Sequence, residues 1–150
     1  MISIVLEKKY QLIEHTADIG IRVKADNLKD LFKNAALAMF DIAGELKPIS
    51  SGPATIEIPK FKVNICQNAE TLEELFVNWL NELLSLSSAK ELMVTDFIIH
   101  RLDKTNLEAD VFGEDINNYK INTEIKAATY HQLKIEKDKS VWQAEVIFDV

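Results

Sequence analysis

The sequence predicts an α+β fold, with two main helices packed on one side of a largely antiparallel β-sheet in a single compact domain spanning residues 1–150. Three observations carry that expectation. Apolar residues recur at helical spacing in two stretches that both lie before Ser87-Ser88. After that pair, β-branched and aromatic runs alternate with turn residues. No internal linker divides the 150 residues, a length that suits one domain.

The elements follow in order. Two apolar groups, residues 2–6 and 10–13, flank Glu7-Lys8-Lys9 and suit a mobile start followed by a first strand. Ile19, Ile21 and Val23 alternate with Gly20, Arg22 and Lys24, the period of a half-buried strand. From Leu28 the period becomes helical: Leu28, Leu31, Phe32, Ala35, Ala36, Met39, Phe40 and Ala43 recur on one face, Asp26 or Asn27 can cap the start, and Gly44 is placed to stop it. Residues 48–53 read as loop, and residues 55–58 and 61–66 as two short strands broken at Pro59-Lys60. A second helix begins at Thr71, where Thr71 and Glu74 have capping-box spacing. Leu72, Leu75, Phe76, Trp79, Leu80, Leu83 and Leu84 then form a broad stripe that must be buried. Residues 93–102, 107–112, 123–128, 132–136 and 141–148 read as strands, with turns at Lys104-Thr105-Asn106, Asn117-Asn118 and residues 137–139. Trp79 and Trp142 are assigned to the core, and His100 to a hydrogen-bonded position in the sheet.

Composition excludes several classes. The longest apolar stretches, such as residues 35–40, fall far short of a membrane helix, and no basic region precedes a hydrophobic stretch and cleavage site at the N-terminus. The expectation is a soluble, cytoplasmic protein. A single cysteine, Cys66, rules out an intrachain disulfide framework and any CxxC metal or redox site. A net charge of −7 and a pI near 5.0 argue against a stand-alone binder of polyanions, so any RNA must be gripped by another molecule. Four isolated glycines cannot build a phosphate-cradling GxGxxG or Walker loop. Cys66 lies in an apolar strand and no serine has an elbow-like context, so a nucleophilic triad is not supported.

Chemistry is left to a few polar residues. In His15-Thr16-Ala17-Asp18, alternation puts Asp18 on the side of Gly20, Arg22 and Lys24, away from the apolar row. There it serves as a turn residue bonding to its own backbone, as a partner for Arg22, or as an available carboxylate donor to a metal. At the chain end Trp142, Ala144, Val146 and Phe148 share an apolar face, so Asp149 points the other way and Val150 carries an α-carboxylate. If the strands starting at Ile19 and ending at Phe148 are antiparallel neighbours, Asp18, Asp149 and Val150 meet at one edge as three hard oxygen donors. Such a set suits Ca²⁺ or Mg²⁺, not zinc. In Glu124-Ile125-Lys126, strand alternation sets Glu124 and Lys126 on one face, either as a surface ion pair or with Lys126 presented to a phosphate or a partner's carboxylate. Tyr130 and His131 are consecutive and point to opposite faces unless the strand bulges there.

Taken together, the motifs resemble the archease family. They are His15-Thr16-Ala17-Asp18-Ile19-Gly20-Ile21, the helix over residues 31–40, Trp79-Leu80-Asn81-Glu82-Leu83-Leu84, the run Glu124 to His131, and the ending Val146-Ile147-Phe148-Asp149-Val150. The resemblance implies a non-enzymatic, cytoplasmic activator of the GTP-dependent tRNA-splicing RNA ligase that joins 2′,3′-cyclic-phosphate or 3′-phosphate ends to 5′-hydroxyl ends. Such an activator promotes guanylylation and multiple turnover, and RNA is reached indirectly through the ligase. It also implies a divalent-metal site of calcium type, with Mg²⁺ or Mn²⁺ as the other hard ions, on Asp18, Asp149 and the terminal carboxylate of Val150. The resemblance further implies a functional surface at Lys126, to which His15, Tyr130 and His131 are also assigned as an expectation. Residues 113–120 lack the Pro and the His common in the family before the Lys126 motif. Two other readings are a broader chaperone-like modulator of tRNA-modifying enzymes and a metal-dependent phosphohydrolase using Asp18, Asp149 and Tyr130 or His131.

Overall fold

A computed structural model describes residues 10–14, 18–48 and 60–150. Its elements are β1 (Tyr10–Glu14), β2 (Ile19–Ala25), α1 (Leu28–Ala43), β3 (Gly44–Leu46), β4 (Lys60–Asn68), α2 (Leu72–Lys90), β5 (Leu92–Leu102), β6 (Asn106–Asp115), a 3₁₀ turn (Ile116–Asn118), β7 (Tyr119–Ile121), β8 (Ala127–Asp138) and β9 (Val141–Asp149). The segments expected over residues 2–6 and 55–58 lie outside the described residues. Among the described residues no helix is long and apolar enough to cross a membrane.

The α+β class holds, and every pairing among the described strands is antiparallel. The single sheet of the sequence reading is corrected: the strands form three sheets, ordered β1-β2-β9-β8, β4-β6-β5 and β3-β7. Nor do the helices lie on one side of one sheet. Helix α1 packs on β2, β9 and β5, and α2 on β8, β4 and β5, so each helix touches both larger sheets. The reason is the width of the apolar faces. In α1 Leu31, Phe32, Ala35, Ala36, Ala38, Met39 and Phe40 are all buried, more of the circumference than one sheet can cover. Phe32 meets Phe76 edge-on at 5.1 Å between centroids, and Trp79, fully buried, donates its Nε1–H to the Phe32 carbonyl at 3.0 Å. These contacts lock the two helices together.

Both helix starts are capped. Asn27 Oδ1 accepts from the Asp30 N–H at 2.8 Å, and Thr71 Oγ1 from the Glu74 N–H at 3.1 Å. The return bond from Glu74 goes to the Glu70 N–H, one residue earlier than a capping box requires. Helix α2 does not stop at Ser87-Ser88 but runs to Lys90, ending on Glu91 in the left-handed region (φ 53°) with its N–H on the Ser87 carbonyl. Gly44 does end α1, yet its backbone is extended and it opens β3. Space explains the glycine, since a Cβ would sit 2.8 Å from the Lys120 carbonyl. Strands β3 and β7 are three residues each, too short to show a period. The strands expected over residues 123–128 and 132–136 are corrected to one strand, β8, preceded by an irregular stretch in which the N–H groups of Asn122 and Thr123 both bond to the Ala43 carbonyl. Trp142 is half-buried rather than core, with Lys137 Nζ 5.6 Å above its ring.

Candidate functional site

The site is built by strand register. β2 and β9 pair with Ile19 opposite Phe148, Ile21 opposite Val146 and Val23 opposite Ala144. The apolar alternation enforces this register, because Ile21, Val23, Ala144, Val146 and Phe148 are all buried and a one-residue slip would turn them to solvent. Asp18 immediately precedes Ile19 and Asp149 immediately follows Phe148, so the two flank the same end of the β2–β9 pair. Alternation along β9 puts Asp149 on the face of Gly20, Arg22 and Glu145, opposite that of Ile21, Val146 and Phe148. Neighbouring strands run about 5 Å apart, so the two carboxylates stand at one end of the sheet. Asp149 is exposed, Asp18 half-buried, and Val150 packs partly against the core. Arg22, the alternative partner for Asp18, donates Nε and Nη2 to Glu145 Oε1 at 2.9 and 2.5 Å and Nη1 to Gln11 at 3.1 Å. Gly20 keeps this face low: a Cβ there would lie 3.1 Å from that of Ile13.

Lys126 reaches the same end from the other side of β9. Ala127 stands opposite Asp149, and the Lys126 N–H donates to the Asp149 carbonyl at 2.8 Å. Its exposed side chain lines a groove of ≈ 940 Å³ between the C-terminal half of α2 and residues 121–127. Glu124 lines that groove too, but it lies outside any strand and makes no ion pair with Lys126, contrary to the shared-face reading. The start of β8 is held from α2 by Asn81, whose Oδ1 accepts from the Ala128 N–H at 2.8 Å and whose Nδ2 donates to the Ala128 carbonyl at 3.1 Å. The sequence reading gave Asn81 no role. Its signal was a short carboxamide flanked at helical spacing by Val77 and Leu84.

Tyr130 and His131 fall where the ladder breaks. The register jumps between Thr129 and Lys134, four residues of β8 facing Val146 alone, with Gln132 at φ 53°. The bulge suspends alternation, so both side chains are exposed, Tyr130 by 56%. They lie three and four residues beyond Ala127, about 10 Å or more along the strand from the carboxylate end. His15 lies outside the described residues. His100, as expected, is a bonded sheet residue, its Nε2 2.8 Å from Asp110 Oδ2. That contact, followed by the amide of Asn64 and the charge of Lys62, holds the Asp110 carboxyl below its usual range. Cys66 does lie in a strand, β4, with its side chain exposed and its thiol 3.5 Å from Asn64 Oδ1. Among the described residues no three His, Cys, Asp or Glu side chains converge at metal-holding distance. All the donors at this edge are hard oxygens, the chemistry of Ca²⁺, Mg²⁺ or Mn²⁺ rather than of zinc.

Residues 10–150 match the model of the Archease protein family (MTH1598/TM1083). The chain is 36% identical over 149 residues to protein archease of Methanosarcina acetivorans, covering 95% of this chain and 97% of that one. It is 34% identical over 150 residues to protein archease of Pyrococcus abyssi, covering 95% and 99%. Its fold is similar to the solution structure of Methanobacterium thermoautotrophicum protein 1598, with a TM-score of 0.71 at 26% identity over 96% of this chain and 100% of that one. The crystal structure of an archease, possible chaperone, from Thermotoga maritima aligns with a TM-score of 0.65 at 27% identity over 92% and 94%.

Proposed function

The chain belongs to the archease family, and from that membership we propose that it is a non-enzymatic accessory protein that activates a GTP-dependent RNA ligase, the one that joins 2′,3′-cyclic-phosphate or 3′-phosphate ends to 5′-hydroxyl ends in tRNA splicing. The observation that carries this reading is the β2–β9 register, which sets Asp18 and Asp149 at one sheet end, together with the bond from the Lys126 N–H to Asp149. In this reading Asp18, Asp149 and the main-chain carboxylate of Val150 hold a divalent ion, Ca²⁺ first and Mg²⁺ or Mn²⁺ next. A bound ion supplies positive charge against nucleotide phosphates during guanylyl transfer on the ligase. Lys126, whose main chain is bonded to Asp149, presents an exposed cation suited to a phosphate or a carboxylate of the partner. The acidic surface leaves the gripping of RNA to the ligase.

A multiple-turnover ligation assay tests the proposal. Wild-type protein should carry the ligase beyond one turnover per molecule. Asp18→Ala and Asp149→Ala should each lose calcium binding and stimulation with an unchanged melting temperature, while Lys126→Ala should lose stimulation and keep calcium. A ligase indifferent to the wild-type protein would overturn the assignment. A broader chaperone-like role, the property named for the Thermotoga maritima relative, is favoured instead if the protein raises the yield of active ligase without changing turnover per active molecule.

A further inference from the structure

We infer that Asn81 is a positioning residue for the carboxylate edge: pairing both main-chain groups of Ala128, it fixes where β8 begins and so where Lys126 stands beside Asp149. The inference deepens the reading above and rests on it for its functional arm. Among the described residues β8 is the outermost strand of its sheet, with no strand paired on the side away from β9. One carboxamide donating to a C=O and accepting from the N–H of the same residue reproduces a rung of a missing strand. The helix that carries it is anchored in the core. Leu75, Phe76, Trp79, Leu80 and Leu83 are fully buried, and Trp79 is bonded to α1. On the β9 side, Thr129 Oγ1 donates to the Ile147 carbonyl at 2.8 Å and the Lys126 N–H to the Asp149 carbonyl at 2.8 Å. The first residues of β8 are thus clamped between α2 and the strand that ends in Asp149. Without Asn81 the α2 side of the clamp opens. The chain on both sides of Ala128 then has no ordered partner there, with the irregular stretch 122–126 ahead of it and the bulge at Tyr130 behind it.

Two measurements on the full chain test this. In Asn81→Ala, hydrogen exchange at the Ala128 and Lys126 amides should quicken about tenfold or more while that of Val146 and Leu83 stays unchanged, the pattern of local rather than global opening. In the ligation assay Asn81→Ala should lower stimulation by about tenfold, and the Asn81→Ala/Lys126→Ala double variant should be no worse than Lys126→Ala alone. A residue that merely stabilised the fold would add its effect to that of Lys126→Ala. Asn81→Asp, which keeps the acceptor for the Ala128 N–H and loses the donor, should fall between wild type and Asn81→Ala in both measurements. Unchanged exchange at Ala128 and Lys126, or additive losses in the double variant, would overturn the role of Asn81. If the wild-type protein does not stimulate the ligase, the preceding reading fails, and the exchange experiment alone then decides whether Asn81 holds the edge.

Discussion

Two residues show how much local chemistry depends on main-chain partners. Glu91 ends α2 in the left-handed region at φ 53°, a conformation that costs an L-residue about 1–2 kcal/mol and glycine nothing. Set against the extra freedom glycine brings to the unfolded chain, Glu91→Gly should stabilise the protein by about 0.5–1 kcal/mol. The check is a higher urea midpoint at an unchanged slope. Asp103 closes the β5–β6 hairpin, its carboxylate accepting from the N–H groups of Thr105 at 2.9 Å and Asn106 at 2.8 Å. Those bonds, the Thr105 one first, lower its pKa from 3.8 to about 2. The folded value lies below the unfolded one, so the stabilisation is complete above the unfolded pKa and is lost as pH falls through the folded one. Melting temperature should therefore fall between about pH 4 and pH 2, and Asp103→Asn should flatten that limb. Both effects were hidden in the sequence, where Glu91 and Asp103 are ordinary charged residues near expected turns.

At the scale of elements, periodicity located most of the structure. β2, α1 and β9 lie within a residue or two of their expected bounds because each buries one face, and burial writes a period into the chain. Thr71 announced the start of α2 through its spacing to Glu74, and Thr71→Ala should cost about 1 kcal/mol, read by chemical denaturation. The misses have two causes. β3, β7 and the stretch 122–126 are set by backbone bonds to distant partners, such as the Ala43 carbonyl, and such bonds leave no mark on residue order. The end of α2 was misread because serines and alanines carry no strong period, and it is settled by the bond from Ser87 Oγ to the Leu92 carbonyl.

At the scale of the molecule, three adjacent strands, β2, β9 and β8, bring residues from positions 18, 126 and 149 to one end of one sheet. In the reading proposed above, Val150 contributes its main-chain carboxylate to the ion. Residues fused after Val150 should weaken calcium affinity by about tenfold or more, whereas an N-terminal fusion should leave it unchanged. Equal affinity by calorimetry would remove Val150 from the donor set. The residue order by itself determined which side of β2 and β9 faces water, since alternation of Ile, Val, Ala and Phe with polar residues dictates it. It also carried the motifs of the family. Only the tertiary structure decided that β2 and β9 are neighbours, that the helices bridge two sheets, that Asn81 grips β8 and that a bulge turns both Tyr130 and His131 outward. The physical reason is range: burial patterns are local along the chain, while strand pairing and side-chain bonds to another element's backbone join residues far apart in it, and many pairings satisfy the same pattern.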